Sequence, residues 1–194
     1  MAYTQVKKYL RANLHTGVEF MKKLMLIFAA STLTLLSIPS FAKAEVEITW
    51  ENPEKYRDVR PTNESRKRFR ENTFKKLDTY IADLAEQLPD GQKLQLTVTN
   101  LDLAGQVWPA SFVGLGHGAS DVRLIKSIDI PRMEFSYKLL DKTGQVVQEA
   151  VVKLKDMSFQ NRHNQFFGSE SLRYEKNMLK DWFEDEFPKL IAKN

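Results

Sequence analysis

The 194-residue sequence contains no cysteine. That absence excludes disulfides, thiolate metal sites and cysteine nucleophiles, and it leaves packing alone to stabilise the chain in an oxidising compartment. Serine chemistry also lacks its usual setting, because neither Ser111 nor Ser120 stands in a Gly-x-Ser-x-Gly elbow. The glycine alternation around His117, from Val113 to Gly118, lacks the Lys-Ser/Thr ending and helix context of a phosphate loop. His163 has no second histidine at ligand spacing, so neither histidine marks a metal centre. No internal repeat or low-complexity tract is present. No reaction follows from any of these motifs, and no cofactor is expected.

The only long apolar run, Leu24 to Ile38, has fifteen residues, fewer than the roughly 20 a spanning helix needs. Lys22 and Lys23 precede it, Pro39 and Ser40 close it, and Ala42-Lys43-Ala44 offers the small residues a signal peptidase accepts. Residues 21–44 therefore read as an export signal, with cleavage expected between Ala44 and Glu45. Residues 1–20 form an upstream extension, either untranslated because synthesis starts at Met21 or removed with the signal. The expected location is the periplasm, with the extracellular space as the alternative and no stable membrane insertion after cleavage.

Removing the leader changes the electrostatic reading. The whole chain has 29 basic and 25 acidic residues, and the first 44 positions hold six of the former and Glu19 alone of the latter. The remainder has 23 basic and 24 acidic residues, a formal charge near −1. The basic excess that nucleic-acid binding requires is absent from the mature chain, and no nucleic-acid partner is expected.

The 150 residues from Glu45 onward suit one domain with one core. Val46, Ile48 and Trp50 alternate with polar neighbours as a first strand, followed by an irregular connection to Pro61. From Asn63 to Leu88, Phe69, Thr73, Leu77, Tyr80, Ile81, Leu84, Ala85 and Leu88 recur at helical steps. Thr62 or Asn63 is the expected cap, with Glu64 in the first turn and Glu64–Arg68 and Glu71–Lys75 as surface pairs. Pro89-Asp90-Gly91 ends the helix.

Leu94, Leu96 and Val98 alternate again, but after Asn100 the apolar phase slips to Leu101 and Leu103, which suggests a bulge or a bend near the strand's end. Residues 104–121 read as a long irregular loop, and 122–130 as a third strand candidate. Met133 to Leu139 and Val146 to Leu154 read as strands joined by a hairpin at Asp141-Lys142-Thr143-Gly144. These three segments suggest a meander. Residues 156–168 read as irregular, and Glu170 to Phe187 as a closing helix that Pro188 stops. The expected class is α+β, a mostly antiparallel sheet of four to five strands covered by two amphipathic helices.

Arg57, Arg60, Arg66, Lys67, Arg68 and Arg70 form the densest cation cluster. A solvated helix face explains its later members, whereas Arg57 and Arg60 lie on a connection that could hold an anion. Asp102 stands at a strand end, where it either pairs with Arg132 or Arg60 or serves as a base. The candidate contact set is therefore Arg57, Arg60, Arg66, Asp102 and Arg132, for an anionic small ligand or an envelope protein. The leading functional reading is a periplasmic binding or interaction module without catalysis. Its alternative is an envelope hydrolase using Asp102, His117 or Glu134 as general acid or base, which requires those groups to converge. Of the tryptophans, Trp50 and Trp182 fall on apolar faces, and Trp108 is the one placed for contact.

The segments YRDVRPTNESRKRFRENTFKKL, LPDGQKLQLTVTNLDLAG, IPRMEFSYKLLDKTGQVVQE and LRYEKNMLKDWFEDEF occur in this order. Together they resemble a family of exported proteobacterial proteins defined as domain of unknown function 3016. The resemblance implies a small envelope protein with a signal peptide and one domain, and carries no activity, cofactor or partner. The family favours an acid where this chain has Asn100, which weakens any acid pair at positions 100 and 102.

Overall fold

The computed structural model describes residues 43–166, 168 and 170–191. The upstream extension and the export signal through residue 42 lie outside the described residues, as does Phe167. All the described residues fall within one unit, Phe41–Asn194.

Strand β1, Glu45–Trp50, alternates exposed and half-buried positions. Helix α1, Arg66–Ala85, starts later than its apolar pattern suggests. Its cap is Ser65, whose backbone is extended and whose Oγ accepts from the Arg68 amide at 3.1 Å, so Glu64 precedes the helix and Thr62 and Asn63 do not cap it. Neither expected surface pair forms among the described residues; Glu71 faces Lys67 at 3.8 Å instead. The buried stripe of α1 includes Thr73, Leu77, Ile81, Leu84 and Ala85, and adds Phe74.

Helix α1 is the crossover that lets β2, Lys93–Asp102, lie parallel to β1. Strand β2 then pairs antiparallel with β5, Arg132–Leu140, which pairs antiparallel with β6, Val146–Lys155, giving the order β1-β2-β5-β6. Ile48 lies opposite Leu96, Leu96 opposite Tyr137, and Tyr137 opposite Ala150, so one face of the sheet is apolar across all four strands. The other face carries Glu47, Gln95, Glu134, Lys138, Glu149 and Lys153, none of them buried.

Of the two irregularities the apolar phase allows in β2, a bulge or a bend, the strand has a bulge. Val98 faces Phe135, Asn100 faces Glu134, and the intervening Thr99 is left over, its hydroxyl donating to the Glu134 carbonyl at 3.2 Å. Leu101 thereby reaches the core opposite Met133, and Asp102 is set opposite Arg132.

The third strand candidate is corrected. Only Val122–Leu124, strand β4, is extended; it pairs with β3, Gln106–Trp108, in a separate two-stranded sheet and takes no part in the meander. A turn closed by the Asp129 amide on the Lys126 carbonyl at 3.0 Å cuts the strand short. Residues 104–121 thus hold β3 and a 3₁₀ turn at Ala110–Val113 as well as loop.

The closing helix α2 spans Arg173–Glu186, and Pro188 both ends it and opens a short helix α3, Pro188–Ile191. Proline suits a first helical turn, where its missing N–H has no partner to lose. Buried side chains of α1 and α2 join the apolar sheet face in one core, with Trp182, Phe183 and Phe187 edge-on to each other, Trp182 also to Phe135 and Phe187 also to Tyr137. The fold is α+β, with a four-stranded sheet, a two-stranded sheet and two long helices.

Candidate functional site

The irregular connection after β1 is pinned residue by residue. Trp50 stacks on Phe74 of α1 with ring centroids 4.0 Å apart, and Tyr56 meets the same Phe74 edge-on at 5.9 Å. The Tyr56 hydroxyl donates to the Val98 carbonyl at 2.7 Å, and Val59 is buried. Between them the backbone of Asp58 bridges that of Asp102 at the end of β2. Arg123 of β4 then clamps the segment: Nη1 donates to Asp58 Oδ2 at 2.9 Å and to the Gly105 carbonyl at 3.0 Å, while Nη2 donates to the Arg60 carbonyl at 3.0 Å. With Tyr56 and Val59 held inward, Arg57 and Arg60 are left exposed.

Gly105 makes the close approach possible. Its φ is +78°, and a Cβ there would lie 2.4 Å from the Leu124 carbonyl oxygen, so no other residue fits without displacing β4. Its amide also donates to the Asp129 carbonyl at 2.9 Å.

These contacts enclose a concavity of about 500 Å³. Arg57, Arg60, Asp102 and Arg132 all line it, together with the apolar Leu103, Val107, Ile128 and Ile130. Arg132 Nη1 donates to Asp102 Oδ2 at 2.9 Å, so of the two arginine partners expected for Asp102, Arg132 and Arg60, it is Arg132 that pairs with it. Burial pushes the Asp102 carboxyl above its ordinary value, against the opposing pull of Arg132. Of the other acids on this wall, Asp58 is bound by Arg123, while Asp129 stands 3.9 Å from Lys126 with its Oδ2 buried and without a hydrogen bond among the described residues. Arg57 and Arg60 form no ion pair among the described residues. The site therefore presents two open guanidinium groups over a floor on which Asp58 and Asp102 are each bound by another arginine.

A second cleft of about 870 Å³ adjoins it and shares Arg60, running between α1 and the start of α2. Its wall contains Glu175, which is buried and accepts from the Ala104 amide at 2.7 Å. Burial holds this carboxyl above its ordinary range, partly offset by that hydrogen bond and by Arg123 and Arg173. Lys76 and Ser171 bridge the cleft at 3.0 Å, and Glu170 pairs with Lys176 at 3.1 Å.

The other sequence candidates fall elsewhere. Arg66 is the exposed first residue of α1 and lines neither concavity. His117 sits in an exposed turn, and Glu134 lies on the open sheet face, paired with Lys153 at 3.6 Å. Of Asp102, His117 and Glu134, only Asp102 lines either of these concavities, while His117 lies in an exposed turn and Glu134 on the open sheet face, so the three do not converge as a shared acid–base centre must. Trp108 is half-buried under Lys126, whose Nζ stands 4.4 Å from the ring, and lines neither concavity. Ala44 packs partly against the core, and Glu45 opens β1 with its amide donating to the Gln92 carbonyl at 2.9 Å. Among the described residues no group of three or more His, Cys, Asp or Glu is placed to hold a metal, and no helix is long and apolar enough to cross a membrane.

Two residues of the site escape sequence reasoning. Arg123 reads as one polar position in a longer strand and carries no usable signal. Glu175 does carry one, since it stands four residues before Leu179 and on the same side of the helix as Trp182 and Phe183.

No curated protein and no solved structure matches this chain. The family model described as "Protein of unknown function (DUF3016)" matches residues 44–185, most of the chain, and the protein belongs to that family.

Proposed function

We propose that this is an exported, periplasmic binding module that captures a small anionic ligand in the Arg57–Arg60–Arg132 concavity. The observation that carries the reading is that Arg57 and Arg60 open into one cavity and, among the described residues, neither forms an ion pair with a carboxylate. A guanidinium offers a rigid fork of donors matched to carboxylate or phosphate oxygens, so two open forks on one anchored loop form an anion cradle. The volume suits a small ligand, since such pockets span roughly 300–1,000 Å³. Leu103, Val107, Ile128 and Ile130 supply the apolar wall that fixes the rest of the ligand.

The test is calorimetric titration of the purified protein with inorganic pyrophosphate and with citrate, repeated on an Arg57→Glu/Arg60→Glu variant. Binding that weakens as salt rises and vanishes in the variant, with the variant's melting curve unchanged, supports the reading. Equal binding by the two proteins, or none by either to any anion of a wider carboxylate and phosphate panel, overturns it.

A further inference from the structure

Strand β6 is the far edge of the main sheet, ten residues long, and among the described residues nothing pairs with its outer side. Its open-face residues are Val147, Glu149, Val151, Lys153 and Lys155, all exposed, with Val151 78 % and Val147 52 % exposed. A long edge strand with exposed valines is a template for another strand, and proteins usually blunt it with charge. Here the charges do more than blunt it, because their order is complementary to itself.

We infer that β6 pairs antiparallel with β6 of a second copy, centred on Val151, to join two four-stranded sheets into one of eight. In that register Val151 faces Val151 of the second copy, and Glu149 faces Lys153 twice, once on each side of the two-fold axis. Antiparallel pairing keeps side-chain faces aligned when the register shifts by two, so neighbouring registers can be compared directly. Centring on residue 149 opposes two glutamates, and centring on 150 or 152 sets Val151 against a charged residue. The Val151-centred register alone both stacks the most exposed valine and matches opposite charges. Within one copy Glu149 and Lys153 only graze Lys138 and Glu134, at 3.7 and 3.6 Å on an exposed surface, so both are available to a partner. The strand behind them puts Ser136 opposite Val151, so the valine has no apolar cross-strand neighbour to lose.

Sedimentation velocity over a concentration series tests this, using the protein purified from expressing cells and variants Val151→Lys, Glu149→Lys and Lys153→Glu. The wild type sediments as a reversible dimer and Val151→Lys as a monomer, folded by circular dichroism. Each single charge reversal raises the dimer dissociation constant by about tenfold, since it opposes like charges twice. Mixing Glu149→Lys with Lys153→Glu restores a heterodimer, because both lysines of the first variant then face glutamates of the second. A wild type that stays monomeric to its solubility limit overturns the inference. So does a dimer that Val151→Lys leaves intact, or one that mixing the two single variants fails to restore.

Discussion

Among single residues, the fully buried Glu175 carboxyl is expected to contribute most to the pH response. Glu175 binds a proton more readily in the folded state than in the unfolded one, because burial raises its pKa. A group shifted in this direction makes folding less favourable as pH rises from the ordinary glutamate range through the raised value. Asp102 acts in the same sense. Stability measured by denaturant at constant ionic strength is therefore expected to fall as pH rises above the ordinary carboxylate range, with a shallower fall in Glu175→Gln. Glutamine keeps an acceptor for the Ala104 amide and removes the charge, so this variant is at least as stable as wild type near neutrality. Glu175→Ala strands that amide and loses about 1–3 kcal/mol. Parallel pH profiles for the wild type and Glu175→Gln would show that another group governs the response. Gly105 gives a second prediction for a single position. Ala there meets both a positive φ and the Leu124 carbonyl, so Gly105→Ala is expected to cost more than about 1 kcal/mol in chemical denaturation. A neutral substitution would show that β3 and β4 can separate freely.

Among the elements, the apolar phase of β2 is readable because a strand with one buried face tolerates no one-residue slip without a bulge. The change from Leu94, Leu96 and Val98 to Leu101 and Leu103 locates the irregularity, and the bulge in turn sets Asp102 opposite Arg132. The α1 cap is not legible, because Ser65, Asn63 and Thr62 can all cap and only the backbone conformation selects Ser65. Nor is the extent of β4: Val122 to Ile130 is apolar enough for a strand, while the Lys126–Asp129 turn has no proline or glycine to mark it. The loop carrying Arg57 and Arg60 is held in part by Tyr56, whose lost hydroxyl in Tyr56→Phe leaves the Val98 carbonyl without this donor. That variant is expected to unfold about 1 kcal/mol more easily and to bind anions more weakly, both seen in one titration series. Unaltered affinity with the same stability loss would detach the loop's anchoring from the site.

For the chain taken together, composition and periodicity are enough to reach an α+β domain with a mostly antiparallel sheet, since each long element carries a clean apolar period. The site is legible in part. Arg57, Arg60, Asp102 and Arg132 are each conspicuous for charge beside a strand end or in a connection, and they share one cavity. Arg66 is not separable from them in sequence, because one helical turn decides whether it faces the cavity or solvent. Arg123 depends on β3–β4 pairing, a tertiary contact without local signature. The core itself is expected to be sensitive: Phe183 is fully buried among Trp182 and Phe187, and Phe183→Ala should cost about 3–5 kcal/mol by urea unfolding.

Whether Arg57 and Arg60 are the anion-contacting groups is decided by following arginine side-chain Nε–Hε resonances by NMR while citrate is added. Saturable shifts are expected at Arg57 and Arg60 and their cavity neighbour Arg132, with Arg66, Arg68 and Arg70 still. Shifts spread evenly over the helix arginines, or arising only at Arg66, Arg68 and Arg70, would place the anion on the helix face and refute the cavity as its site.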